Sequence, residues 1–169
     1  MKTVGSLTLT ALLGTTLFAA QVGLSLIPNI ELVSLLILLY CTVFPFWQAF
    51  SAVLVFNTLE ALLWGFGEWV IGYFVVWPLL ILLVFFLKPM IQDKASRWAL
   101  LLAAFGLGFG ALFALVHMVL FGVHTGLAYW LAGVPFDIIH GVGNYILTLL
   151  LYDSLRKPLT WLFQRAIKA

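Results

Sequence analysis

The chain has 169 residues, of which 64% are hydrophobic and only 8% are charged, and its mean hydropathy is +1.18. A water-soluble domain of this size needs far more polar surface to cover its core, so the composition excludes that class. About 20 apolar residues form a helix that crosses a bilayer, and the length therefore allows about six crossings with no separate soluble domain.

The apolar runs predict an all-α membrane protein with six transmembrane helices, in one domain that covers residues 1–169. The predicted helices cover about 6–27, 32–43, 47–64, 69–87, 98–120 and 135–152. Proline, glycine and polar residues interrupt the runs at 28–31, 44–46, 65–68 and 88–97, which predicts short loops there. The short second run predicts a helix that is tilted or packed inside the bundle. We further expect a loop from 121 to about 134 and an amphipathic surface helix over 153–169.

The basic residues all fall on one side of this six-helix layout. They are Lys2, Lys88, Lys94, Arg97, Arg156, Lys157, Arg165 and Lys168. The opposite side carries Glu31, Glu68 and His124 instead. Because Lys and Arg are enriched in cytoplasmic loops, we expect both termini to be cytoplasmic.

Two sets of polar residues within the predicted spans are candidates for function, because polar groups are costly in a membrane. The sets are Asn57, Glu60 and Trp64 on the third helix, and Asp137, His140 and Asn144 on the sixth. In each set the spacing of i, i+3 and i+7 places the three side chains on one face. Both faces lie toward the outer end, so we expect them to converge on one outward-opening cavity. The alternative is that they only hold the bundle together by interhelical hydrogen bonds.

Aromatic residues mark the fourth helix at a spacing of four, at Trp69, Tyr73 and Trp77. If this stripe faces the cavity, it offers walls for a flat ligand. Tyr129 and Trp130, in the predicted last outer loop, are expected to close over it. The alternative is an aromatic belt at the membrane interface together with ordinary packing.

Sequence motifs of catalysis are absent. The chain has no Gly-x-Ser-x-Gly, no paired His-Glu metalloprotease motif and no phosphate-binding loop. The three histidines lack metal-ligand spacing and Cys41 lies far from them, so no metal or cofactor is predicted. His117 is interpreted as a core histidine. Two other classes stay open: an intramembrane enzyme using Glu60, Asp137 and His140 as acid and base, and a structural or assembly protein.

The first helix carries Ala11, Thr15 and Ala19 at a spacing of four, a stripe of small side chains on which another helix can pack. Either a helix of this protein or a partner could use it. The stripe resembles the alanine-x-x-x-alanine pattern on the first helix of S components, the substrate-binding subunits of energy-coupling factor (ECF) vitamin transporters. Thr15 replaces the central alanine of that pattern.

The resemblance extends along nearly the whole chain through the six-helix layout. Residues 28–33 resemble the family's first outer loop and the short helix that follows it. Residues 135–144 resemble the last helix of some bacterial S components, in which an asparagine face meets the ligand. The resemblance implies a high-affinity binding subunit in a bacterial plasma membrane, and not an enzyme.

In that family the partners are a membrane coupling subunit, which docks on the first-helix stripe, and two cytoplasmic ATPases. This docking requires an exposed stripe. The aromatic walls favour a small planar vitamin or precursor, such as a hydroxymethylpyrimidine-like compound or pyridoxine. Pantothenate is the alternative, although its carboxylate favours a cationic partner and no Lys or Arg is expected on the outer side.

Overall fold

The structure, a computed structural model, describes residues 3–168, and the side chains of residues 4–164. This part of the chain forms six helices and no strand. The helices are α1 (Thr3–Leu24), α2 (Val33–Val43), α3 (Phe46–Trp64), α4 (Glu68–Ile91), α5 (Ala95–Phe121) and α6 (Val123–Lys168). All except α2 are long and apolar enough to cross a membrane. The chain is therefore an all-α, multi-pass membrane protein, as its composition predicts.

Side-chain contacts show that successive helices run in opposite directions. Ser6, near the start of α1, donates a hydrogen bond to Gln48, near the start of α3, at 3.1 Å. Lys88, near the end of α4, donates from Nζ to the carbonyls of Cys41 and Thr42 at the end of α2, at 3.1 Å each. These helix ends therefore lie at one end of the bundle.

We call this end the basic end, because Lys88, Lys94, Arg97, Arg156 and Lys157 lie there. Lys2, Arg165 and Lys168 fall outside the side chains that the structure describes. The opposite end, formed by the connections 25–32 and 65–67 and by Gly122, is called the cavity end.

The short helix α2 lies inside the bundle, as the sequence predicts. Its 11 residues span about 17 Å, well short of the roughly 30 Å of a bilayer core. Nine of them are buried, including Cys41. The hydroxyl of Tyr40 donates to the Leu13 carbonyl at 3.2 Å, which ties α2 to α1.

The predicted loop over 121–134 is wrong, because only Gly122 separates α5 from α6. Gly122 turns the chain with a φ of 91°, a conformation that costs glycine little. Pro135, predicted to start the last helix, lies inside α6. Membrane helices tolerate proline because neighbouring groups satisfy the freed carbonyl. Tyr129 and Trp130 consequently lie on a helix and not in a loop.

The predicted boundary at 152 is also wrong, because α6 continues to Lys168 without a break. The ring of Phe163 lies 4.7 Å from that of Phe44, edge to face, and Leu159 packs against the same core. Trp161 and Leu162 are exposed. One face of this amphipathic segment therefore covers the basic end of the bundle, and its contact with a membrane surface stays a prediction. Residue 169 lies outside the described residues.

The polar loop predicted over 88–97 is shorter in the structure, where only three residues lie between Ile91 and Ala95. Helix α4 continues past Lys88, whose ammonium group is held by the carbonyls at the end of α2. Gln92 and Asp93 then reverse the chain with φ values of 54° and 58°.

Candidate ligand-binding site

The cavity end contains three adjoining lobes. The central lobe has a volume of about 140 Å³ and is lined by residues 27–31 of the α1–α2 connection together with Tyr73, Trp77, Phe109 and His140. The α3 lobe, of about 330 Å³, is lined by Glu60, Trp64, Trp69 and Tyr73. The α6 lobe, of about 380 Å³, is lined by Phe109, Gly110, Tyr129, Phe136 and Asp137.

The central lobe joins the other two lobes through shared walls. Gln21, Ser25 and Tyr73 line both the central and the α3 lobes. Asn29 and Phe109 line both the central and the α6 lobes. The predicted polar faces of α3 and α6 thus open on different lobes, each of which shares lining residues with the central lobe.

The connection between α1 and α2 lines the central lobe and is held in place at Glu31. Oε1 of Glu31 lies 3.1 Å from Nε2 of His140 on α6, and Oε2 accepts the backbone N–H of Ser34 at 2.8 Å. Burial raises the pKa of Glu31, but the hydrogen bond and charge of His140 and the hydrogen bond from the Ser34 backbone outweigh it, so the pKa lies below its ordinary value. The carboxylate therefore remains ionised while it holds this connection in place.

Aromatic side chains form the floor and one wall of the central lobe. The ring of Trp77 lies 5.6 Å from that of Tyr73 and 5.4 Å from that of Phe109. His140 meets Phe109 edge to face at 4.9 Å. Trp77 Nε1 and His140 Nδ1 are buried without a hydrogen-bond partner among the described residues. The lobe thus combines flat apolar surfaces with two nitrogens that have unused hydrogen-bonding capacity.

The predicted α3 face is divided between the α3 lobe and the helix packing. Glu60, 2% exposed, and Trp64 line the lobe with Trp69. Asn57 lines none of the three lobes, and its amide donates to the Tyr73 carbonyl at 3.1 Å. This contact matches the packing alternative for Asn57.

The predicted α6 face is divided in a similar way. Asp137, buried at 7% exposure, lines the α6 lobe and accepts the Gly110 N–H at 2.9 Å. His140 lines the central lobe. Asn144 lines none of the three lobes and donates to the Leu102 carbonyl at 3.4 Å. Of this face, Asp137 and His140 are therefore placed to meet a ligand.

The two aromatic residues expected to cover the cavity have different positions. Tyr129 lines the α6 lobe, and its ring stacks on that of His117 at 4.0 Å. His117, interpreted from the sequence as a core histidine, is only half-buried. Trp130 is 39% exposed and lines none of the three lobes.

The sequence reasoning missed several residues that line the lobes. They are Gln21, Ser25, Asn29, Glu31, Phe109 and Gly110. Glu31 could have been chosen as a candidate from the sequence, because it is one of only six acidic residues in an apolar chain. Phe109 could not, because the chain has 15 phenylalanines and no pattern distinguishes this one.

The small-residue stripe on α1 faces outward. Ala11, Thr15 and Ala19 are all exposed, as docking of a partner requires. Gly14, beside the stripe, faces α3: a Cβ there would lie 2.6 Å from that of Val55. Helix α1 thus packs on α3 through Gly14 and leaves the stripe free of contact with this protein's core.

The lobes are lined by acidic side chains. Among the described residues, Glu31, Glu60 and Asp137 line them, His140 lines the central lobe, and no Lys or Arg lines any of the three. Among the described residues, no group of three His, Cys, Asp or Glu side chains could hold a metal ion. Comparison of the chain with family models, with curated proteins and with solved structures found no match.

Proposed function

We propose that this protein is the substrate-binding S component of an ECF-type importer for a small planar vitamin or vitamin precursor. The observation that carries the proposal is the central lobe. Tyr73, Trp77 and Phe109 line it, and the Glu31–His140 contact holds the α1–α2 connection beside it. Ligand sites in membrane bundles have this character, with flat apolar walls and a few convergent polar groups.

The electrostatics of the lobes bear on the choice of ligand. A hydroxymethylpyrimidine-like or pyridoxine-like ring could stack on the aromatic walls, and its nitrogen and hydroxyl groups could meet His140, Gln21 or Asn29. Pantothenate, the alternative, would bring a carboxylate toward Glu31, Glu60 and Asp137 with no Lys or Arg beside them. Like charges at close range are unfavourable, so we rank the uncharged or basic rings above it.

The exposed stripe on α1 supports the second half of the proposal. A binding protein without a nucleotide site needs a partner to drive import. Ala11, Thr15 and Ala19 form a smooth exposed surface on which a membrane coupling subunit could dock. That subunit would be driven by two ATPases at the basic end, which we assign to the cytoplasm of a bacterial cell.

The binding half is tested with the purified full chain in detergent. Mass spectrometry of co-purifying small molecules and a thermal-shift screen of vitamins and precursors should identify a ligand. We expect submicromolar binding without ATP, or about −8 kcal/mol or better. A screen in which no vitamin or precursor raises the melting temperature would contradict the proposal.

The import half is tested with Ala11→Trp and Thr15→Trp. Each should abolish uptake in cells but leave the ligand affinity of the purified protein unchanged, because the stripe lies away from the lobes. Ala104→Trp is the matched control: it makes the same change at an exposed alanine on α5 and should spare uptake. Normal uptake in the stripe variants would refute this docking surface.

A further inference from the structure

Glu60 is buried beside the α3 lobe without a charged partner. It is 2% exposed, and neither ion pair found among residues 4–164 includes it. Its Oε1 has no hydrogen-bond partner among the described residues, and its hydrogen-bonding neighbour is the side chain of Trp64. Of the other two carboxylates of the lobes, Glu31 meets His140. Asp137 accepts a backbone N–H through Oδ1, while its Oδ2, like Oε1 of Glu60, has no partner among the described residues.

Three aromatic side chains surround the space next to this carboxylate. Trp64, Trp69 and Tyr73 line the α3 lobe together with Glu60. The rings of Trp69 and Tyr73 lie 5.3 Å apart and are nearly perpendicular, at 81°, so they form a corner. The remaining lining side chains are uncharged: Gln21, Val22 and Ser25.

This combination is suited to a positive charge. A carboxyl group that is buried without a partner is favoured in its protonated form, and a ligand cation would supply the counter-charge that stabilises the ionised form. The faces of indole and phenol rings attract cations, and tryptophan attracts them most strongly. A neutral ligand could use the aromatic walls and a hydrogen bond to Glu60 but would bring no counter-charge, and an anion would be repelled by the ionised form.

We infer that the α3 lobe receives an organic cation, either an ammonium or an N-alkylated heteroaromatic group. Glu60 is its counter-charge, and Trp64, Trp69 and Tyr73 are its walls. The inference rests on the proposed function, since it assigns the charge of the ligand that the cavity end captures. Tyr73 and Gln21 also line the central lobe, so the two lobes are neighbours, and a ligand that extends across this shared boundary would place its cationic group in the α3 lobe and its ring in the central lobe.

The test uses two probes of nearly equal shape, choline and its uncharged carbon analogue 3,3-dimethylbutan-1-ol. Both are titrated into the purified full chain while tryptophan fluorescence is recorded, because Trp64 and Trp69 line the lobe. We expect choline to bind at least about tenfold more tightly than the alcohol. Equal affinities, or no binding of choline at millimolar concentrations, would overturn the inference.

Three variants test whether Glu60 and Trp69 cause this preference. Glu60→Gln keeps the shape of the side chain and should remove the preference for choline, whereas Glu68→Gln, at an exposed glutamate of the same end, should retain it. Trp69→Leu should weaken choline binding about tenfold while changing the alcohol less, and it serves if Glu60→Gln fails to fold. A preference that survives in folded Glu60→Gln would also overturn the inference.

The vitamin screen separates this inference from the proposed function. If an uncharged vitamin binds and is imported, and Glu60→Gln leaves its affinity unchanged, the cation site is refuted and the importer stands. If choline is preferred through Glu60 but no vitamin or precursor binds, the cation site stands and the vitamin importer is refuted.

Discussion

Nε2 of His140 on α6 lies 3.1 Å from Oε1 of Glu31, which stands 109 positions earlier in the chain. The side chains are nearly buried, at 4% and 11% exposure. Both residues line the central lobe, so the contact joins the α1–α2 connection to α6 at the edge of that lobe. It therefore couples the shape of the candidate site to the stability of the fold.

Removal of the histidine from this contact should destabilise the protein. His140→Ala leaves the buried Glu31 carboxylate with the Ser34 N–H as its remaining partner, and we expect a loss of about 3 kcal/mol. Glu31→Gln keeps a hydrogen-bonding group and should cost only about 1 kcal/mol. The measurement is thermal unfolding of the detergent-solubilised protein. The matched control is His124→Ala at an exposed histidine of the same end, and equal melting of both histidine variants would contradict this prediction.

The same contact predicts how stability depends on pH. The pKa of Glu31 lies below its ordinary value, whereas glutamate in an unfolded chain titrates near about pH 4.3. A lowered pKa stabilises the folded state fully above the unfolded value, and this contribution is lost as the pH falls through the folded value. The melting temperature should therefore drop on acidification below about pH 4, and less steeply in Glu31→Gln. Identical acid profiles for the two proteins would count against this explanation.

The sequence predicts the helices well wherever the length of an apolar run decides, as in α3 and in the buried α2. The predicted boundaries are wrong at Gly122 and Pro135, because the rule that proline marks the start of a helix comes from water-soluble proteins. In this bundle α6 continues beyond Pro135 without a break, and Gly122, with its positive φ, turns the chain between α5 and α6. Local composition does not contain that information.

In the candidate site, too, the sequence predicts what depends on spacing along one helix but not what depends on contacts between distant helices. Helical spacing correctly groups Glu60 with Trp64, which line one lobe. Spacing does not show which polar side chains line a lobe and which bind a backbone carbonyl. Asn57 binds a backbone carbonyl. Pairing of Glu31 with His140 depends on how α1, α2 and α6 pack, and no short-range pattern carries it.

At the basic end, Tyr152 should contribute measurably to stability. Its hydroxyl donates to Oδ1 of Asp93 at 2.9 Å, and Arg156 pairs with the other carboxylate oxygen. Tyr152→Phe removes one hydrogen bond to a charged group, so we expect a loss of about 1–2 kcal/mol in unfolding free energy. Tyr145→Phe, on the same helix, is the control. A melting temperature of Tyr152→Phe equal to that of the control would show that the bond contributes nothing net.

Two glycines of α5, two residues apart, should respond in opposite ways to the same substitution. A Cβ on Gly110 would lie 2.4 Å from Oδ2 of Asp137, whereas a Cβ on Gly108 would meet nothing within 4 Å. Gly110→Ala should therefore displace Asp137 from the hydrogen bond that it accepts there, at a cost of about 1–3 kcal/mol. Gly108→Ala should gain up to about 1 kcal/mol from the better helix propensity of alanine. Thermal unfolding of the two variants measures both effects, and a Gly110→Ala protein as stable as Gly108→Ala would mean that α5 and α6 can separate at Asp137 without cost.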